Sequence, residues 1–263
     1  MSKYLQLLKI NWENGLVYRT SVIIWRLRQF LSTVMALTLW TILLSQQTSG
    51  FGYTQAQMVT YIFSISILDG FIFATALQGL GNQIYSGQFS FQLLKPINLY
   101  LYFATEEIAD KLKNVGFIAI ETIILYLIFK PELIFPSAEI GIIFVAWTVL
   151  GIVLHFFIQL LFGALGFWTP ETWGPRFLFW MFLDFTAGKM FPLDILPTVI
   201  QKLIFFTPFP YMSFLQIQLM LGKIPTTEII PYTIWFGVWL GILGILTKIV
   251  WSRGIKNYSA SGN

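Results

Sequence analysis

The sequence contains no cysteine, a single histidine and very little charge. Only 11% of its 263 residues are charged, while 56% are apolar; soluble domains average about 25% charged residues. Without cysteine there are no disulfides, thiolate metal sites or cysteine nucleophiles. With His155 as the only histidine, metal sites built from histidine pairs are excluded too. The 16 basic and 12 acidic residues cannot cover a soluble domain of this length, so much of the surface must face lipid.

Motifs for nucleotide hydrolysis or catalysis are also missing. No Gly-x-x-x-x-Gly-Lys-Ser/Thr phosphate-binding loop occurs, so the chain has no recognisable means of hydrolysing ATP itself. A Ser-His-Asp arrangement would have to use His155, and no Gly-x-Ser-x-Gly elbow supplies its serine. We therefore predict a chain that is not an enzyme, with no cofactor, no metal site and no nucleic-acid partner.

The long apolar runs predict an all-α membrane protein, with one transmembrane domain over 1–263 and about six spanning helices. A span takes about 20 mostly apolar residues. The runs lie at 29–44 with an extension back to 22, and at 58–80, 114–129, 140–167, 177–191 and 229–251. Four prolines interrupt the apolar stretch 192–222. Short re-entrant helices therefore fit this stretch better than one straight span.

The N-terminal residues 1–21 have the pattern of an amphipathic helix. One side of this helix carries Tyr4, Leu5, Leu8, Trp12 and Leu16, and the opposite side is polar. Such a helix lies along the membrane surface. A cleaved signal peptide is not expected, since the segment has no continuous apolar core and no small-residue cleavage site.

The lysines and arginines predict the orientation, because cytoplasmic loops carry an excess of them. With the N-terminus in the cytoplasm, twelve of the sixteen fall on the inner side. The four on the outer side are Lys130, Lys189, Lys202 and Lys223. Both termini are therefore predicted to be cytoplasmic, in the plasma (inner) membrane of a prokaryote, which requires an even number of spans.

Four polar residues fall inside predicted spans: Asp69, Glu121, His155 and Asp184. Ionisable groups at that depth are costly, and they usually pair with neighbours or mark a transport pathway. On the first interpretation they fix helix packing, and Lys189, about one turn beyond Asp184, is a suitable partner. On the second they serve a proton- or sodium-coupled carrier.

The inner loop 82–97, between the second and third spans, has few charges although it should lie at or beyond the cytoplasmic surface. An apolar element exposed to water often marks a docking site. If the segment is helical, Ile84, Phe91 and Leu94 would enter a groove on a partner. The alternative is that the loop lies in the lipid headgroup layer.

Two sets of residues resemble a known family. The inner loop has an Ile, Gly, Leu-Leu-x-Pro pattern at Ile84, Gly87, Leu93, Leu94 and Pro96. After the fifth span come Pro192, Leu193 and Pro197, then Pro208, Phe209 and Tyr211, then Gly222. In this order and spacing the chain resembles a permease subunit of the ABC transporter superfamily, in the type-2 exporter class. Gln216 departs from the pattern, because many relatives have proline there.

The resemblance implies a six-span exporter subunit that works with separate ATP-binding subunits and a second permease, either a copy or a paralogue. Loop 82–97 would be the cytoplasmic coupling loop, and 192–222 an extracytoplasmic re-entrant region. The aromatic content favours an amphiphilic or lipid-like cargo. A proton- or sodium-coupled secondary transporter remains the main alternative, although it usually has more spans and an internal repeat. A scaffold or insertase subunit is the third.

Overall fold

The computed structural model describes residues 3–17, 19–45 and 51–259, and within them it contains α-helices and no strand. The helices are α1 Lys3–Val17, α2 Arg19–Ser45, α3 Gln55–Leu68, α4 Leu80–Tyr85, α5 Ser90–Leu93, α6 Leu99–Phe129, α7 Ala138–Ala164, α8 Trp173–Thr186, α9 Thr198–Phe205, α10 Phe214–Met220 and α11 Thr226–Asn257. The predicted all-α membrane architecture is confirmed.

Five helical segments in the described part of the chain are long and apolar enough to cross a bilayer. They are Ile23–Leu44, Gln55–Phe73, Leu99–Phe129, Ala138–Phe167 and Thr226–Asn257. The predicted fifth span is shorter: α8 has 14 residues, or about 21 Å at 1.5 Å per residue. This is less than the roughly 30 Å of a hydrocarbon core. Irregular chain and short helices follow α8.

The second span is interrupted, although its sequence predicted one helix from 58 to 80. Helix α3 ends at Leu68 and continues as a π-helical turn, Asp69–Phe73. Ala74 and Thr75 are then extended, with ψ of 138° at each, before a 3₁₀ turn at Ala76–Gly79. We call Ala74–Thr75 the span break.

The third span begins earlier than predicted. Its helix starts at Leu99 instead of Asn114, because the side chain of Asn98 caps it by accepting a hydrogen bond from the amide of Leu101 at 3.2 Å. With 31 residues, α6 is about 46 Å long. It therefore extends well beyond one side of the hydrocarbon core.

The predicted re-entrant region 192–222 contacts the start of α3, then the end of α8, and then the start of α3 again. The side chain of Tyr53, next to the start of α3, meets Asp194. The chain then forms α9 and continues to Ser213. The hydroxyl of Ser213 donates to the carbonyl of Ala187, just after α8, at 2.6 Å. Helix α10 leads back, and Gln218 again reaches Tyr53.

This geometry corrects one position in the charge count. The chain turns at Gly188, where φ is +77°, and the ammonium of Lys189 lies 2.6 Å from a carboxylate oxygen of Asp69. Asp69 is 14 residues beyond the first residue of α3, or about 21 Å along the helix. Lys189 thus lies deep between helices and not in an outer loop, which leaves three outer basic residues.

The buried residues form two separate cores. The larger, the membrane core, surrounds α3: 72% of its apolar stretch is buried, against 11% for α11, which faces outward. The smaller, which we call the loop core, lies where the inner loop joins the helices. It consists of Leu77, Leu80, Ile84, Phe89, Tyr102, Phe103, Leu160, Ala164, Phe167 and Trp251.

The N-terminal helix α1 packs along α6. Its ammonium of Lys3 donates to the carbonyl of Pro96 at 3.0 Å, and the hydroxyl of Tyr4 accepts from the amide of Asn98 at 3.3 Å. Leu5, predicted on the apolar side, is 54% exposed, and Leu7 packs against the loop core in its place. The side chain of Leu16 lies outside the described residues, and the placement of α1 at the membrane surface stays a prediction.

Glycines allow the closest approaches around the loop core. A Cβ on Gly166 would lie 2.1 Å from the carbonyl oxygen of Gly81, and one on Gly254 would lie 2.2 Å from the ring of Phe167. Two backbones are therefore in direct contact at Gly166, where a larger residue has no flexible side chain to displace.

We predict that Gly166→Ala lowers the thermal stability of the protein in mild detergent, because overpacking costs about 1–3 kcal/mol. Gly237→Ala is the matched control, since a Cβ there meets nothing within 4 Å. The measurement is the unfolding temperature of both variants. Equal unfolding temperatures would contradict the close packing at Gly166.

Candidate functional site

The inner loop has one face packed into the protein and one face exposed. After α4 the chain turns at Gly87, where φ is +81°, and α5 follows. Phe89 is fully buried, whereas Phe91 is 69% and Leu94 is 82% exposed. Ile84, predicted as an anchor for a partner, is only 1% exposed and belongs to the loop core.

The other motif residues of the loop have distinct places. Leu93 is 37% exposed beside Leu94, so it extends the apolar exposed face. The carbonyl of Pro96 accepts the hydrogen bond from Lys3. Phe89 is absent from the sequence motif, although it is the most buried residue of the loop. In the sequence, the burial of Phe89 is indicated only by its being an aromatic residue two positions before Phe91.

The span break is capped by two charged side chains from α6. Lys111 donates to the carbonyls of Ala74 and Ile72, the latter at 3.3 Å. Glu107 accepts from the amide of Ala76 at 3.1 Å and from the hydroxyl of Thr75. The two side chains also pair with each other at 3.3 Å, both almost completely buried. In this way the break keeps its backbone groups bonded without water.

Arg176 secures the segment that follows the break. Its guanidinium donates to the carbonyl of Leu77 at 3.2 Å and to that of Gln78. Because Arg176 lies on α8, these hydrogen bonds connect the first residues of α8 to the 3₁₀ turn that precedes the inner loop.

The four predicted intramembrane polar residues all have polar partners. Asp69 and Asp184 share the ammonium of Lys189, at 2.6 and 2.7 Å. Glu121 lies 3.6 Å from the guanidinium of Arg26. His155 is buried and its Nε2 lies 2.9 Å from the amide nitrogen of Gln159, one turn along α7. These contacts tie α2, α3, α6 and the turn after α8 together.

A cavity of about 490 Å³ lies between α2, α3 and α8. Its lining is mixed, and the polar part includes Arg28, Gln29, Ser32, Asp69, Asp184 and Lys189. Aromatic and sulfur-containing side chains such as Trp40, Tyr61, Trp180 and Met181 supply the rest. Near its rim the rings of Trp25 and Trp180 stack with centroids 5.3 Å apart, and the guanidinium of Arg28 lies 4.2 Å from the Trp25 ring. Such a cavity suits a molecule with both polar and apolar parts.

Polar residues that lie beside the outer motif residues connect the re-entrant region to the start of α3. The hydroxyl of Tyr53 donates to Asp194 at 2.8 Å, and the amide of Gln218 donates to the same carboxylate at 3.2 Å. Lys223 lies 3.7 Å from Asp194 and over the Tyr53 ring. Burial, together with the Asp194 charge, raises the pKa of Tyr53, which keeps its phenol a donor. Burial lowers the pKa of Lys223 despite Asp194.

The prolines of the outer motif shape this region. Pro192 precedes the 3₁₀ turn that buries Leu193, and Pro197 precedes the first residue of α9. Pro208 lines an apolar groove beside α7 and α11, and Tyr211 is buried with its ring 5.1 Å from that of Phe236. Pro192 and Pro197 thus each stand directly before a short helical element.

Gln216, the departure from the family pattern, lies inside α10 without disturbing it. Its side-chain amide donates to the carbonyl of Tyr211 at 2.7 Å and to that of Trp147 at 3.3 Å. The residue is fully buried. The local helix is therefore regular, and Gln216 adds a hydrogen bond from the re-entrant region to α7.

No group of three or more His, Asp or Glu side chains placed to hold a metal occurs within 3–17, 19–45 and 51–259. Comparison with known families gives one match: a family described as ABC-2 family transporter protein matches residues 30–262. None of the curated proteins compared with the chain matches it.

We predict that Lys111→Met strongly destabilises the protein, because removing one partner of a buried pair costs about 3–5 kcal/mol. The variant also frees the carbonyl of Ala74 from its donor. The double variant Glu107→Gln/Lys111→Met should lose less, since a neutral amide oxygen still accepts from Ala76. The measurement is the unfolding temperature in detergent.

Lys113→Met is the matched control, because Lys113 pairs with Asp110 on its own helix at 3.0 Å. The fall in unfolding temperature caused by Lys113→Met should be a small fraction of the fall caused by Lys111→Met. A Lys111→Met variant as stable as this control would show that the span break does not need its cap.

Proposed function

Because this chain belongs to the ABC-2 transporter family, we propose that it is the membrane-spanning subunit of an ATP-driven exporter. Membership of the family makes it an ABC transporter permease, a transport subunit of the membrane. Separate ATP-binding subunits are proposed as its partners, together with a second permease that is a copy or a paralogue. The lack of a phosphate-binding loop in the sequence supports ATP hydrolysis on a partner.

The observation that carries the proposal is the exposed apolar face of the inner loop. Phe91 and Leu94 are 69% and 82% exposed on a loop whose other face is anchored by Phe89. Side chains of this kind on a firmly held element are suited to insertion into a groove of a partner. We propose that the groove belongs to the ATP-binding subunit, which places loop 82–97 in the cytoplasm.

The proposed orientation has both termini in the cytoplasm of a prokaryotic cell. The length of α6, about 46 Å, agrees with a loop core that lies outside the hydrocarbon region. The basic residues agree: without Arg26, Lys111 and Arg176, which bond groups between the helices as Lys189 does, nine lie on the proposed inner side and three on the outer side. The even number of crossings is made by the five long segments and by α8 with its re-entrant continuation.

The cavity between α2, α3 and α8 is the proposed place where cargo enters this subunit. It combines charged, polar and aromatic side chains, which supports an amphiphilic or lipid-like cargo. ATP binding would bring the two ATP-binding subunits together and carry the docked loops with them. Each permease then moves largely as a rigid body, and the pathway between the two changes its opening. The work comes from the different affinity of ATP for the two states.

The ion pairs make a gradient-driven carrier less favoured. Asp69 and Glu121, the carboxylates that such a carrier would use, each lie against a cation, Lys189 and Arg26. Each carboxylate therefore already has a fixed partner within the protein, which supports a structural role.

We predict that the protein, purified from its host in mild detergent, retains a stoichiometric ATP-binding subunit. The double variant Phe91→Asp/Leu94→Asp should lose that subunit, because two charges would enter an apolar groove. Phe135→Asp is the control, since Phe135 is 80% exposed outside the loop, and it should retain the subunit. The absence of any ATPase, with proton-driven transport persisting without ATP, would instead establish the secondary transporter.

A further inference from the structure

We propose that the end of the last helix is built into the coupling device, and that Tyr258 is a positioning residue which makes the inner loop and α11 move together. This inference rests on the proposed function. It assigns a role to a part of the chain about 160 residues away from the loop in sequence.

The loop is fastened to the protein through one buried ring. Phe89 lies within an aromatic box in which the centroids of Tyr258, Trp251, Phe167 and Phe103 are 5.6, 5.8, 6.0 and 6.4 Å from its own. Contacts of this kind are favourable beyond their buried area. The box holds the loop from behind, opposite the exposed Phe91 and Leu94.

The members of the box come from different spans. Phe103 is on α6, Phe167 is in the 3₁₀ turn after α7, and Trp251 is on α11. The indole N–H of Trp251 also donates to the carbonyl of Leu160 on α7 at 3.0 Å. A displacement of the loop is therefore passed to the inner ends of three spanning helices at once.

Tyr258 adds a direct polar contact between the end of the chain that follows α11 and the loop backbone. It follows α11, and its hydroxyl accepts a hydrogen bond from the amide of Ser90 at 3.1 Å. Its ring also lies 5.9 Å from that of Phe167. The backbone of α11 comes close at Gly254, where only hydrogen fits against Phe167. The ring of Tyr258 and the backbone of α11 at Gly254 therefore both pack against Phe167, which holds the Tyr258 hydroxyl beside the loop.

The connection to α3 is of a different kind. Between the loop core and α3 lies the span break, where Ala74 and Thr75 are extended and no helical hydrogen bonds run through. Because a continuous helix is stiffer than an extended dipeptide, the loop follows α6, α7 and α11 more closely than the helix that precedes it in sequence. As the loop moves, the cavity wall formed by α3 therefore changes its position relative to α6, α7 and α11.

The test is hydrogen–deuterium exchange of the purified complex with its ATP-binding subunits, with and without adenylyl-imidodiphosphate. In the wild type the analogue should change exchange both in loop 82–97 and in the end of α11, residues 248–259. In Tyr258→Phe the response of the loop should remain. The response of 248–259 should fall about fivefold, the factor that one typical hydrogen bond contributes. Phe89→Leu should reduce that response further.

Tyr126→Phe is the matched control, since Tyr126 is 49% exposed on α6 and its hydroxyl makes no hydrogen bond to the part of the chain that the structure describes; it should behave as the wild type. A Tyr258→Phe variant whose two segments respond like the wild type would overturn the proposal. So would faster exchange in both nucleotide states with an unchanged difference, which is the result of a purely structural role. A preparation without an ATP-binding subunit would remove the proposed function itself, before any exchange is measured.

Discussion

A peptide group that leaves a helix where other protein groups surround it must find its hydrogen bonds within the protein, because an unpaired buried backbone group is costly. The span break is where this constraint is met most directly. Lys111 and Glu107 bond the carbonyls and amide that the missing helical turn would have satisfied, and Arg176 bonds the carbonyls just beyond. Two buried charged side chains and one half-buried arginine thus bond a few backbone groups.

The same constraint shapes the outer half of the molecule. The chain turns at Gly188, where the hydroxyl of Tyr61 donates to its carbonyl at 2.5 Å and the hydroxyl of Ser213 donates to that of Ala187. Gln216 then bonds the carbonyl of Tyr211. Two irregular regions, one in the second span and one after α8, therefore divide the protein into a loop core and a membrane core. Because of this division, a movement of the inner loop displaces α6, α7 and α11 more than α3.

The sequence predicted the fold class and the family because both depend on features that persist along the chain: few charges, long apolar runs and ordered motifs. It also identified Asp184 and Lys189 as possible partners, because they are five residues apart. Asp69, the second carboxylate on Lys189, comes from a distant helix and was out of reach of such local reasoning. The span break carries no proline, and its caps lie more than 30 residues away. Phe89 and Phe91 are identical in type, and only tertiary packing makes one an anchor and the other exposed.

The central claim is that the exposed side of loop 82–97 touches an ATP-binding subunit in the cell. A photoreactive phenylalanine analogue at Leu94 tests it most directly, with the same analogue at Phe135 as reference, because the two positions are 82% and 80% exposed. Irradiation of intact cells should join position 94, and not position 135, to a soluble ATP-binding protein. Cross-links from position 94 to lipid alone, or the same ATP-binding protein captured from both positions, would contradict the account.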